Sequence, residues 1–271
     1  MSWNVFPLFA AVAILFWLSG AVLAFTSRRR WAIALIAVGL CVYAAYIAGF
    51  WLSLGRPPLR TTGETRLWYS FFMMLSALLT YVKWDYKWIP SFSLVVAAVF
   101  ICLNVFRPEI HDESLMPALQ SWWFVPHVTV YMFSYSVFGC AFILACAGLF
   151  KKSGIYLGPA DRLVYIGTAF LSLGMLSGAL WAKDAWGTYW NWDPKETWAA
   201  VTWSIYLLYI HIRLSGKAIC SNTGKSGKEV GRRRVILYSL LIAGFISLQM
   251  CWWGVSYLPT AQGSQHIYST R

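Results

Sequence analysis

Residues 181–203 read WAKDAWGTYWNWDPKETWAAVTW. The stretch crowds Trp181, Trp186, Trp190, Trp192, Trp198 and Trp203 around a compact charged group, Asp193, Lys195 and Glu196. It sits between two long apolar runs, 162–183 and 195–213. The tetrapeptide DPKE is a helix-start signature: Asp193 as N-cap, Pro194 at the first helical position and Glu196 at the third, in the sense of a capping box. Gly187 permits a tight bend ahead of it. The expectation is a loop that carries indoles between two helices and offers a broad aromatic surface.

The composition says where such helices live. The 271 residues are 59% hydrophobic and only 12% charged, with a mean hydropathy of +0.58. Soluble domains carry about twice that charged fraction, so the chain reads as an all-α integral membrane protein. The net charge of +12 then marks loops on the inner side of a membrane and does not imply nucleic-acid binding. Of the 6 cysteines, none forms a CxxC pair, and most lie in apolar runs where they act as small hydrophobes. No CxxCH segment is present, so covalent heme is not carried by this chain. The N-terminal apolar run is followed, not preceded, by its basic cluster, Arg28–Arg30, which reads as a retained span with the N-terminus outside.

About eight segments approach the roughly 20 apolar residues that a span needs: 3–25, 31–54, 67–82, 88–106, 122–150, 162–183, 195–213 and 235–254. With both termini outside, the inner loops hold most of the Lys and Arg, including Lys151, Lys152, Arg213, Lys217 and Arg232–Arg234. Arg56, Arg60 and Arg66, together in one outer loop, run against that bias. Residues 1–110 are N-terminal spans. Residues 111–271 form a core with the tryptophan-rich outer segment 181–203, a basic inner loop at 214–234 and an outer tail. The composition of 214–234, rich in Gly, Ser and Lys, reads as flexible loop.

The topology sorts the 4 histidines. His127 falls at the outer end of the fifth span and His266 in the outer tail, on the same side as the tryptophan-rich segment. His211 falls near the inner end of the seventh span. Each reads either as a satisfied polar residue at an interface or as a metal ligand or proton carrier. His111, among Glu109, Asp112 and Glu113, reads as an ordinary loop residue.

Tryptophan is also enriched at membrane interfaces without any ligand, and that accounts for much of the total of 17, including Trp3, Trp31 and Trp51. The crowding at 181–203 goes further and suits a flat aromatic ligand that stacks. Asp193 is mainly a cap; as a carboxylate it would repel heme propionates. Lys195 reads either as a propionate partner or as an exposed first-turn side chain. Two histidines on one face, an aromatic platform and an apolar body together point to heme, with His127 and His266 as axial ligands.

The segments WAKDAWGTYWNWDPKETWA, PALQSWWFVPHVTVYMFSYSVF and QGSQHIY resemble those of the CcsA (ResC) cytochrome c biogenesis family of System II, within the tryptophan-rich heme-handling superfamily. The likeness is strong over about residues 117–213 and in the tail. It implies heme b held at the outer face by His127 and His266. Trp181, Trp186, Trp190, Trp192, Asp193, Lys195 and Trp198 would form the tryptophan-rich site. It implies a second, intramembrane heme to which His211 supplies one ligand and a partner subunit of the CcsB (ResB) type the other. The implied role is a subunit of a membrane cytochrome c synthase (heme lyase). It would present heme to the CxxCH of apocytochrome c, with a thiol-reducing thioredoxin-like protein among its partners. The membrane would be a bacterial inner membrane or a thylakoid membrane, and the active face periplasmic or lumenal. No catalytic nucleophile or acid–base pair is expected, because apocytochrome supplies the thiols.

Other readings remain at this stage. A heme chaperone or exporter would load another carrier and never meet apocytochrome. A multi-span transporter without heme would show acids mid-span, and few are visible. A b-type electron carrier would pair histidines within one chain, and His211 has no such mate.

Overall fold

The computed structural model describes residues 1–107, 121–220, 227–252 and 254–257. His111 and His266 lie outside the described residues. Among the described residues the secondary structure is helical throughout: α1 (Phe6–Ala24), α2 (Arg29–Leu54), α3 (Thr62–Trp84), α4 (Ile89–Phe106), α5 (Phe124–Phe150), α6 (Leu157–Trp186), α7 (Pro194–Cys220) and α8 (Gly227–Trp252), with short 3-10 turns at Trp3–Val5 and Gly254–Tyr257. The expected segments appear in order; α2, α3, α6, α7 and the start of α8 extend beyond the expected bounds, while α1, α4 and α5 begin slightly later than expected.

Of the expected eight spans, 6 are long and apolar enough to cross a membrane among the described residues: α1 with its preceding turn, α2, α4, α5, α6 and, from Glu229, α8. Helices α3 and α7 are long enough, at 23 and 27 residues, and differ in polarity. Glu64, Arg66 and Lys83 flank α3, while α7 carries Lys195, Glu196, His211, Arg213 and Lys217. Large apolar side chains such as Leu52, Trp122, Phe150 and Leu176 stand exposed. Large apolar side chains exposed along helices in such number belong against hydrocarbon, not water. The loop within the basic segment 214–234 is also shorter than its composition suggests. Helix α7 continues to Cys220 and α8 begins at Gly227, so much of 214–234 is helix.

The chain divides into two compact units, the first comprising residues 1–115 and 128–140, the second 116–127 and 141–271. This boundary differs from the expected division at residue 110, because α5 contributes to both units.

In the first unit α1 and α2 form an antiparallel pair. Trp17, fully buried, lies against the backbone of Gly39, where an added Cβ would stand 2.5 Å from the indole. Tyr46 and Phe6 meet at 5.1 Å between ring centroids. Helix α3 starts with a complete capping box: Thr61 Oγ1 accepts from Glu64 N–H, and Glu64 Oε2 accepts from Thr61 N–H. The same carboxylate receives two charge-assisted bonds from Arg56, at 2.9 and 3.0 Å, and the Arg60 amide. Arg56, one of the three arginines that weigh against the expected topology, is therefore balanced by a buried acid.

In the second unit α7 and α8 run antiparallel. Thr202 and Ser247 hydroxyls bond at 2.8 Å, and Arg233 donates to the Ile212 carbonyl. Helix α6 joins them through Asp161, which accepts from both the Arg213 guanidinium and Tyr209 Oη. Trp203 Nε1 donates to Ser172 Oγ at 2.9 Å. In the apolar interior these bonds satisfy groups that would otherwise be costly to bury.

Candidate functional site

The residues of interest lie in the second unit, where the end of α6, the start of α7 and the first turn of α5 carry them. Helix α6 does not stop before the tryptophan-rich stretch. It runs on to Trp186 and closes at Gly187, whose left-handed φ of 82° suits a residue without Cβ. Lys183 holds this end by donating from Nζ to the Gly187 carbonyl at 2.7 Å, with its ammonium 5.4 Å from the centre of the Tyr189 ring.

This corrects the expectation of a single indole-bearing loop. Trp181 and Trp186 sit on the last turns of α6, and Trp198 and Trp203 on α7. Of the indoles singled out, only Trp190 and Trp192 belong to the connection. The shift is physical: WAKDAW contains no breaker, so the helix propagates until glycine ends it.

The start of α7 is built as the sequence suggests. Asp193 is buried; its Oδ1 accepts from the Lys195 amide at 2.9 Å, and its carbonyl accepts the first helical bond from Thr197. Glu196 reaches back, and its Oε2 accepts from Asp193 N–H at 3.1 Å and from Asn191 N–H at 2.8 Å. These two bonds flank Trp192, whose φ of 56° lies in the left-handed region. That conformation costs a non-glycine residue on the order of 1 kcal/mol, and the cap holds it in place. Trp192 is 70% exposed and meets Trp190 edge to face at 5.8 Å. Trp190 is half-buried, and its Nε1–H is buried with no acceptor among the described residues. Lys195 is half-buried, and its carbonyl accepts from the Cys251 thiol of α8 at 3.4 Å, so it is not the exposed first-turn side chain of one reading.

His127 is half-buried in the first turn of α5. Its Nδ1 lies 2.8 Å from the Gly174 carbonyl of α6. A carbonyl only accepts, so Nδ1 carries the proton, and in the neutral ring the lone pair is on Nε2. The imidazole stacks on Trp181 at 5.4 Å and 25°. Trp181, 2% exposed, also meets Trp186 at 4.8 Å and Phe124 at 5.3 Å. One histidine and a buried aromatic group thus form a single assembly. The chemistry of this assembly fits heme: an imidazole with its tautomer set and its second nitrogen bearing a lone pair, and flat aromatic neighbours.

His211 stands apart. It lies 18 residues beyond Asp193 on the same helix, or about 27 Å along the axis at about 1.5 Å per residue. Its side chain is exposed, among Val201, Leu207, Leu208 and Leu214, which are also exposed.

Sequence reasoning missed Phe124, Gly174 and Gly178. Their signal was present. Gly174, Gly178 and Trp181 follow the i, i+4, i+7 spacing of one helix face.

The sequence profile described as cytochrome c assembly protein matches residues 58–261, taking in α3 through α8. The chain belongs to the cytochrome c assembly protein family. The match covers His127, the tryptophan-rich segment and His211, while His266 falls beyond its end. Among family members, the cytochrome c biogenesis protein CcsA of Illicium oligandrum is 30% identical over 280 residues, covering 83% of this chain and 83% of that protein. The CcsA of Solanum lycopersicum is 29% identical over 254 residues, covering 77% of this chain and 76% of the other. Among solved structures, cytochrome c heme lyase CcmF superposes with a TM-score of 0.59 at 18% identity, covering 94% of this chain and 49% of that one. At that identity the likeness is one of fold, and this chain spans about half the length of that lyase. With its apolar helices, the protein is an integral membrane member of the cytochrome c assembly family.

Proposed function

We propose that, within cytochrome c biogenesis, this protein binds heme b at the outer end of α5 and α6 and presents it to apocytochrome c. One observation carries the reading: His127 is held against α6 by its Nδ1–H bond to Gly174 and by stacking on Trp181, which leaves the Nε2 lone pair as the ligating position. Metal-binding histidines are oriented in this way, by an acceptor at the other nitrogen.

The chain's own residues bind and orient. His127 and His266 supply imidazoles to the iron. The indoles Trp181, Trp186, Trp190, Trp192 and Trp198 supply flat apolar surface, with the Trp190 Nε1–H as a donor for a propionate. Lys195 supplies a cation near that surface, and Asp193 fixes the angle at which α7 leaves it. Bound heme supplies the vinyl groups, across which two cysteine thiols of the CxxCH segment add, each S–H giving one C–S and one C–H bond with no change in electron count. The protein then needs no nucleophile, and its contribution is orientation. His211 contributes half of an intramembrane heme site completed by a CcsB/ResB-type subunit. The active face is periplasmic or lumenal.

The test is a visible absorption spectrum of the purified complex, oxidised and reduced, for wild type and His127→Ala. A low-spin spectrum that turns high-spin in the variant, and recovers in part on adding imidazole, supports ligation. Unchanged heme content and spectrum in His127→Ala removes His127 from the site.

A further inference from the structure

We propose that the Gly174 carbonyl and Gly178 of α6 position His127: a helix carbonyl left open to the ring at 174 and a missing Cβ at 178 together fix its tautomer and seat its ring. The inference rests on the reading of His127 as a heme ligand.

In an α-helix each side chain leans toward the N-terminus, so residue i+4 lies over the carbonyl of residue i. A side chain at 178 would cover the Gly174 oxygen. Glycine leaves that oxygen open from the side, although it already serves the helix and accepts from Ser177 Oγ at 3.1 Å. His127 enters this opening. A Cβ built at Gly178 would lie 2.6 Å from its Cε1 and 2.7 Å from its Nδ1. These are distances that no ring and methyl group share, so the ring would have to move. Trp181, on the same face and at stacking distance, bounds the far side of the slot. The pair Gly174 and Gly178 is the spacing by which small residues let helices approach in a membrane. Here the space that Gly178 leaves is filled by an imidazole.

The consequence is chemical as well as steric. Displaced from the carbonyl, the ring loses the acceptor that keeps its proton on Nδ1, and the lone pair no longer resides by default on Nε2. Loss of such an acceptor weakens metal binding by about 10-fold or more.

The experiment compares Gly178→Ala with His127→Ala, the double variant, and Gly158→Ala as a control on the same helix, where nothing lies within 4 Å of an added Cβ. All are made in the full chain with its partner subunit present, and read by heme content per protein and by the low-spin to high-spin ratio. The expected result is that Gly178→Ala loses about 10-fold in heme retention and shifts toward high spin, with partial recovery on adding imidazole. Gly158→Ala should match wild type, and adding Gly178→Ala to His127→Ala should change nothing further. If Gly178→Ala prevents accumulation of the protein but accumulates in the His127→Ala background, the clash with the ring is the cause and the proposal stands. A loss that is equal in both backgrounds makes Gly178 a structural residue and overturns it. A wild-type spectrum in Gly178→Ala overturns it as well, provided that His127→Ala is altered. A wild-type spectrum in His127→Ala itself removes the ligand reading beneath it.

Discussion

At the scale of single residues the site depends on a few exact placements. Trp181 touches His127, Trp186 and Phe124 at once, which makes it the centre of the aromatic group. Aromatic pairs contribute about 0.5–1.5 kcal/mol beyond area burial. Trp181→Leu should therefore lower the thermal midpoint in detergent more than Trp181→Phe does, and should loosen heme more than loss of the exposed indole of Trp192 does. Heme retention at equal protein, read beside Trp192→Leu, checks the order. Glu196 is the other key residue. Replacing it by Ala removes the acceptor for the Asn191 and Asp193 amides and should cost about 1 kcal/mol of stability. Glu196→Gln, which keeps an acceptor oxygen, should recover most of that loss in the same melting assay. The capping role of Asp193 and Glu196 was legible because DPKE is a local signal. That His127 meets Trp181 was not, since the two are separated by more than fifty positions along the chain and joined only by packing.

At the scale of elements, α6 and α7 are tied at one end by the capped connection and at the other by a buried ion pair. Asp161 is 5% and Arg213 17% exposed in their side chains, with Tyr209 donating to the same carboxylate at 2.8 Å. Removing one partner of such a pair leaves a charge without compensation and costs about 3–5 kcal/mol. Asp161→Ala should thus destabilise strongly. The double variant Asp161→Leu, Arg213→Met should restore most of the stability, because similar volume is filled without charge. Thermal unfolding of wild type and the two variants in one detergent decides it: a double variant as unstable as the single one would mean that the pair itself, and not the orphaned charge, holds the helices. The apolar runs announced these helices. Their ends were less legible: hydropathy fades where α6 enters WAKDAW and where α7 enters its basic stretch, yet backbone hydrogen bonding continues.

At the scale of the whole molecule, composition identified a membrane protein, and the helices agree. The polar contents of α3 and α7 separate them from the six plainly apolar helices among the described residues, and neighbours satisfy their charges, as Arg56 does for Glu64 and Asp161 for Arg213. With both termini on the outer side, a cysteine introduced at Ser2 should react with an impermeant maleimide in intact cells or vesicles of known sidedness. One introduced at Ser215 should react only after permeabilisation. The reverse pattern would invert the topology and place His127 on the inner face. His211, exposed on α7, should matter for heme only when the partner subunit is present; equal loss in His211→Ala with and without it would contradict a shared site.

The sequence by itself determined the class, the order of the helices, the family likeness and the cap at Asp193, because these depend on composition, on periodicity and on contacts within a few residues. Tertiary structure decided which aromatic faces the histidine, which carbonyl accepts its proton and why residue 178 is a glycine. Those depend on two distant turns of helix approaching within a ring's width, and hydropathy along one chain does not encode that distance.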